Sequence, residues 1–224
     1  MKQSWWKLLA VVLLYYVFTA GFLMKVPQIG NLQQTIRNFF FHVPMWFGQM
    51  IILLISLIYS ILYLRSGNLL HDIRAKEFAR TGTLLGFLGL ITGAVWANFT
   101  WGAPWNNDPK QVAAAISLLI YMAYFVLRGS VTDLDQRARI SSIYNIFAYF
   151  IYIPLIMILP RMVESLHPGG QGAEGNPALS GKDLDPSMRI VFWPAVAGWT
   201  LLSIWITQLS IRFQSIQEKK WLHA

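Results

Sequence analysis

The chain has no cysteine. That absence excludes disulfides, thiolate metal sites, thiol redox chemistry and a CxxCH attachment site. Charge is scarce as well, at 12% of 224 residues, where a soluble domain carries about 25%. No Walker A segment occurs, so the chain carries no ATP-binding loop of that kind. There is no internal repeat and no low-complexity tract. No polar interval is long enough to hold a separate soluble core. The longest runs from Arg161 to Arg189.

What the chain has in quantity is apolar sequence, 55% of all residues. It comes in blocks near 20 residues long, the length that crosses about 30 Å of hydrocarbon. Six spans are predicted, at about 5–24, 44–64, 81–98, 111–128, 142–160 and 190–211. The expected fold class is all-α: a polytopic membrane protein with six transmembrane helices, residues 1–224 forming one integral membrane domain. The first run, Trp5 to Met24, has a basic start but no A-x-A-like cleavage site, so it reads as a retained helix.

The net charge of +8 suggests nucleic acid until the charges are placed. With both termini inside, the inner segments hold twelve Lys and Arg residues and the outer segments six. Twelve against six satisfies the positive-inside rule, so the basic surplus is chiefly an orientation signal. Both termini are therefore expected on the cytoplasmic side.

Within the spans, Gly82-x-x-x-Gly86 and Gly89-x-x-x-Gly93 put small residues at the spacing that lets helices approach closely. Pro154 should kink the fifth span. Pro168 to Pro186 is rich in Gly, Pro and small residues and reads as a flexible outer loop.

The unusual residues gather on the outer side. His42 stands in Phe41-His42-Val43-Pro44, with Pro44 suited to the first helical turn, which predicts His42 just before the second span. Trp46 follows one turn later. His167 is expected at the end of a short helical extension of the fifth span, stopped by Pro168-Gly169-Gly170. A lone histidine at a membrane edge is ordinarily a solvated surface residue, as His71 and His223 on the inner side are expected to be. Two on one side, flanking a tryptophan segment, form a candidate ligand pair.

That segment, within residues 96–110, includes Trp101-Gly102-Ala103-Pro104-Trp105-Asn106-Asn107-Asp108-Pro109-Lys110. An interfacial aromatic belt explains most of the chain's tryptophans. It does not explain Gly102, Pro104, Asp108, Pro109 and Lys110 beside two of them, a mixture that suggests a fixed, irregular surface structure.

At these residues the sequence resembles the heme-handling proteins of cytochrome c maturation. That family includes the heme exporter protein C branch and the larger synthase subunit of an alternative system. Its WGxxWxWD segment is matched by Trp101, Gly102, Trp105 and Asp108, and His42 and His167 fall where the family has axial histidines. The final tryptophan of the pattern is Asn107 here. Six spans and the length agree with the heme exporter C branch.

The resemblance implies a heme carrier rather than an enzyme. Heme b would be held at the periplasmic surface between His42 and His167. Trp46, Trp101, Gly102, Trp105 and Asp108 would contact or shape the site. Arg37, Lys110, Arg161 and Arg189 are the candidate propionate partners. The implied partners are a periplasmic heme chaperone (CcmE-like), ATP-binding cassette subunits (CcmA- and CcmB-like) and a small membrane subunit (CcmD-like). Three other classes compete: a synthase that attaches heme to apocytochrome, a respiratory b-type cytochrome, and a transporter of heme or another small molecule. A b-type cytochrome would place paired histidines inside its helices, and none is expected there. The synthases normally have more spans and a further histidine pair. A transporter would more often carry charged groups or broken helices near the midplane.

Overall fold

A computed structural model describes residues 4–27, 32–167 and 184–222. Their regular structure is entirely helical, with no strand among the described residues. The elements are α1 (Trp5–Leu23), a 3-10 turn (Gln33–Asn38), α2 (Phe39–Ser66), α3 (Leu69–Trp101), α4 (Pro109–Ser130), α5 (Leu134–Ile153), a π turn (Pro154–Ile158), α6 (Leu159–Met162) and α7 (Pro186–Leu222). Six helical stretches are long and apolar enough to cross a membrane, counting α5 to α6 as one.

Helix boundaries follow local chemistry. Gly67 ends α2 in the left-handed conformation (φ 65°), and its N–H donates to Tyr63 O at 2.8 Å. One residue later Asn68 caps α3, its Oδ1 accepting from Leu70 N at 2.9 Å. A connection this short makes α2 and α3 antiparallel neighbours. Asp108 caps α4 with Pro109 at its first position, and Asp133 caps α5.

Two boundaries differ from expectation. The charged interval 65–80 was predicted as a break, yet α3 begins at Leu69. Its polar first turns extend the helix beyond the apolar window, because a capped helix can continue into water where its apolar stripe ends. The second span also begins earlier than predicted, at Phe39, because the preceding 3-10 turn winds directly into it. Pro44 is therefore inside α2 rather than in its first turn. The kink expected at Pro154 is a π turn, in which Leu159 N–H reaches back five residues to Pro154 O.

The core is organised around α2, which packs on α3, α7 and α5, while α1 lies mainly on α7. Four glycines of α3 make the α2–α3 contact close. A methyl group at Gly82, Gly86, Gly89 or Gly93 would strike Leu53, Gln49, Trp46 or His42, at 2.5 to 2.8 Å. The two small-residue pairs read from the sequence thus form one antiparallel notch. At one end it holds aliphatic side chains; at the other it holds the rings of Trp46 and His42. Far from that end, Asp72 and Arg128 form a buried bidentate pair at 2.6 and 2.5 Å.

The segment 168–183, which includes most of the predicted flexible loop, and His223 lie outside the described residues.

Candidate functional site

His42 and His167 line one cleft, together with Trp46, Trp96, Trp105, Lys110 and Arg161. The cleft encloses about 1150 Å³ of atom-free space out to its open mouth. Phe39, Phe47, Met50 and Met157 also contribute to its walls. Apolar and aromatic walls with a few convergent polar groups are the usual composition of a small-molecule site.

The first histidine belongs to a helix. His42 is the fourth residue of α2, not a residue before it. Its ring sits in the Gly93 notch and meets Trp46 and Trp96 edge-on, at centroid distances of 6.2 and 5.9 Å. Its Nδ1 lies 3.1 Å from Thr92 Oγ1. The Thr92 hydroxyl has carbonyls of its own helix within reach, Leu88 O at 2.8 Å and Gly89 O at 3.1 Å. With its proton directed to one of these, the hydroxyl accepts from His42 Nδ1–H. That tautomer leaves Nε2 with its lone pair.

The second histidine is held differently. α6 stops at Met162, and Val163 is extended (φ −130°, ψ 160°). The helical extension expected to carry His167 is therefore absent; the residue lies in an irregular strap. Asp108 supplies what the helix does not. Its carboxylate accepts from His167 Nδ1 at 2.8 Å, from Leu166 N at 2.7 Å and from Ser165 Oγ at 2.8 Å, while it caps α4 through Lys110 N at 2.9 Å. A carboxylate that accepts fixes Nδ1 as the protonated nitrogen, again leaving Nε2 available. Burial alone would raise the Asp108 carboxyl. The hydrogen bonds from His167, Ser165 and Leu166 outweigh it and hold the group well below the usual carboxylate range.

The tryptophan segment is fixed as its composition suggested. Gly102 ends α3 at φ 81°, its N–H donating to Asn98 O at 3.1 Å. Gln111, a buried residue sequence reasoning passed over, accepts from Asn106 N at 2.8 Å and donates to Pro104 O at 3.2 Å. Asn107 takes φ 54°, a conformation asparagine tolerates and tryptophan does not favour. Its Oδ1 accepts from Trp105 Nε1 at 2.7 Å. The departure from the tryptophan pattern thus has a local role: Asn107 orients Trp105, which is 43% exposed at the cleft.

The remaining sequence candidates divide. Trp46, Trp105, Lys110 and Arg161 line the cleft. Trp101 does not; it packs edge-on against His167 at a centroid distance of 4.7 Å and buttresses it from behind. Gly102 acts through the helix end. Arg37 is turned away, donating through Nη1 to Gly21 O and Met24 O at 3.0 and 2.8 Å, where it completes the C-terminus of α1. Arg189 donates to Leu184 O at 3.1 Å and does not line the cleft.

Trp96 was missed as a cleft residue. It lies three positions after Gly93 and seven after Gly89, on the face of α3 that the glycines define, and that spacing could have found it. Thr92 carried no comparable signal. His71 is at the opposite end of the bundle, with its Nδ1 3.0 Å from Ser66 Oγ.

Fold and cleft together define a multi-pass helical membrane protein with a paired-histidine, tryptophan-walled cleft at one end. A sequence model of the heme exporter protein C family matches residues 1–223. The chain belongs to that family.

Among its relatives is the heme exporter protein C of Paracoccus denitrificans, 30% identical over 55% of this chain and 50% of that protein. The protein of the same name from Bradyrhizobium diazoefficiens is 25% identical over 83% of this chain and 68% of its own length. A cytochrome c biogenesis protein CcsA of Prochlorococcus marinus is 47% identical over 31% of this chain and 22% of its own. The match thus spans half of the Paracoccus protein and about a fifth of the Prochlorococcus one.

Proposed function

We propose that the cleft carries heme b at the periplasmic face of a bacterial inner membrane and delivers it to a periplasmic heme chaperone during cytochrome c biogenesis. One observation supports this above the rest. Two histidines 125 residues apart in sequence line one cleft, each with Nδ1 engaged and Nε2 left to coordinate. Neutral imidazoles held by a second partner are what iron ligation asks of a protein.

The surroundings fit the same cargo. Trp46, Trp96 and Trp105 offer aromatic surface to a flat macrocycle. Lys110 and Arg161 are the two propionate candidates that line the cleft. The twelve-to-six division of basic residues supports a periplasmic cleft with both termini in the cytoplasm. The chain acts as a carrier and not as an enzyme. ATP use belongs to cassette subunits of the CcmA and CcmB kind, with a small CcmD-like subunit completing the assembly and a CcmE-like chaperone receiving the heme.

The test is the absorption spectrum of the purified protein with heme. Two imidazoles on iron give a six-coordinate, low-spin spectrum. Alanine at His42 or His167 should shift it and weaken retention, and added imidazole should partly restore it. Alanine at His71 should change nothing. An unchanged spectrum in the His42/His167 double variant would overturn the ligand assignment.

A further inference from the structure

At the end of the bundle remote from His42, a second cavity opens between the start of α1, the start of α3 and the end of α7. Its atom-free space is about 1490 Å³. Among the described residues three cations line it, Lys7, Arg74 and Arg212, and no carboxylate does. Among the described residues none of the three has an acidic side chain within ion-pair distance.

Two of the cations rest on aromatic rings instead. Lys7 Nζ stands 5.7 Å from the Trp6 ring centroid and 5.4 Å from that of Trp205; the Arg74 guanidinium stands 5.4 Å from the Tyr59 centroid. These ring contacts leave the N–H donors able to meet an anion. Cations that line one cavity repel each other, an arrangement that an anion relieves.

We propose that this cavity binds the phosphate of an anionic phospholipid from the leaflet at that end of the bundle. Phosphate suits guanidinium and ammonium groups that line one cavity with no carboxylate among its described residues, and basic pockets between transmembrane helices can bind anionic headgroups.

What selects a lipid over a free anion is the surface beside the cavity. α1 starts at its rim with Trp5, and Leu8, Val12 and Tyr15 continue along the helix, all more than half exposed. Only 17% of this span is buried, less than in any other. Acyl chains can follow that apolar surface while the headgroup occupies the cavity. The bound lipid would seal α1 to α3, two helices that share no extensive contact of their own among the described residues.

The experiment is native mass spectrometry of the purified full-length chain, released from detergent after incubation with phosphatidylglycerol or phosphatidylcholine. Wild type should retain phosphatidylglycerol at least tenfold more than phosphatidylcholine. The triple variant Lys7→Gln, Arg74→Gln, Arg212→Gln should lose that preference. A charge-matched control, Arg65→Gln, Arg80→Gln, Arg139→Gln, should keep it. Should the first triple variant fail to fold, Arg212→Gln alone, at an exposed position, should still reduce retention severalfold. Equal retention by wild type and the Lys7/Arg74/Arg212 variant would overturn the site. Full displacement of phosphatidylglycerol by millimolar inorganic phosphate would overturn the lipid as its occupant.

Discussion

Substituting alanine at Gly93 should damage heme retention without touching a ligand. The added methyl carbon would stand 2.6 Å from His42 Cε1, 3.3 Å from Nδ1 and 3.4 Å from Nε2. Carbon atoms rest at about 3.5–4.0 Å, so the ring must retreat by roughly 1 Å. It has little room to do so. Trp46 and Trp96 stand on its edges, and Nδ1 is bonded to Thr92 at 3.1 Å. A shift of that size stretches the Nδ1 contact past hydrogen-bond range and re-aims Nε2. Overpacking of this kind costs about 1–3 kcal/mol, and loss of a ligand's supporting partner typically lowers metal affinity about 10–100-fold. Heme titration of Gly93→Ala should therefore show affinity reduced within that range and a partial loss of the low-spin spectrum. Gly129→Ala, where a methyl meets nothing within 4 Å, is the control. If Gly93→Ala bound heme with wild-type affinity and spectrum, the seating of His42 by α3 would be refuted.

Asp108→Asn should release the 163–167 strap and lower the melting temperature. Because the folded carboxyl lies below its ordinary value, its contribution is fully present above about pH 4 and is lost as pH falls through the lowered value; a difference between wild type and Asp108→Asn that disappeared already by pH 5 would contradict this. Asn107→Trp restores the pattern residue but should impair transfer, since it places a bulky side chain at φ 54°, at about 1–2 kcal/mol, and removes the acceptor for Trp105; improved transfer would count against the orienting role. Alanine at Trp105 should reduce transfer to the chaperone while alanine at Trp5 leaves it intact, and equal effects would favour simple interfacial anchoring. Reporter fusions at Ala224 should report cytoplasm and fusions near Gly172 periplasm; the reverse result would move the cleft to the other face.

The six spans were legible because lipid leaves one signal, length of apolar run, and only helices can answer it. Their ends were less so. The charges of 69–80 read as a break since hydropathy does not distinguish a polar loop from a helix leaving the membrane. His42 and His167 could be placed on one side from span parity, but not in one cleft, since that depends on how α2 and the strap past α6 lie across the bundle. The four propionate candidates illustrate the same limit. Side of the membrane is written in sequence; whether Arg37 turns toward the cleft or back onto α1 depends on carbonyls sixteen and thirteen residues away. Asp108 caps α4, as an aspartate directly before a Pro-initiated helix can. Its larger task, holding His167 across 59 positions of sequence, left no local trace.

The two histidines stand on unequal footings. His42 is one jaw of a vice cast into the frame: a helical residue seated in a glycine notch and boxed by two indoles. His167 is the sliding jaw, carried on irregular chain and clamped by a single carboxylate that also holds the start of α4. Such a vice opens from one side only. On the heme-carrier reading, loosening the strap frees one face of the iron while the other stays fixed, so a receiving protein that engages the strap would meet cargo already aligned and open on the side from which it approaches.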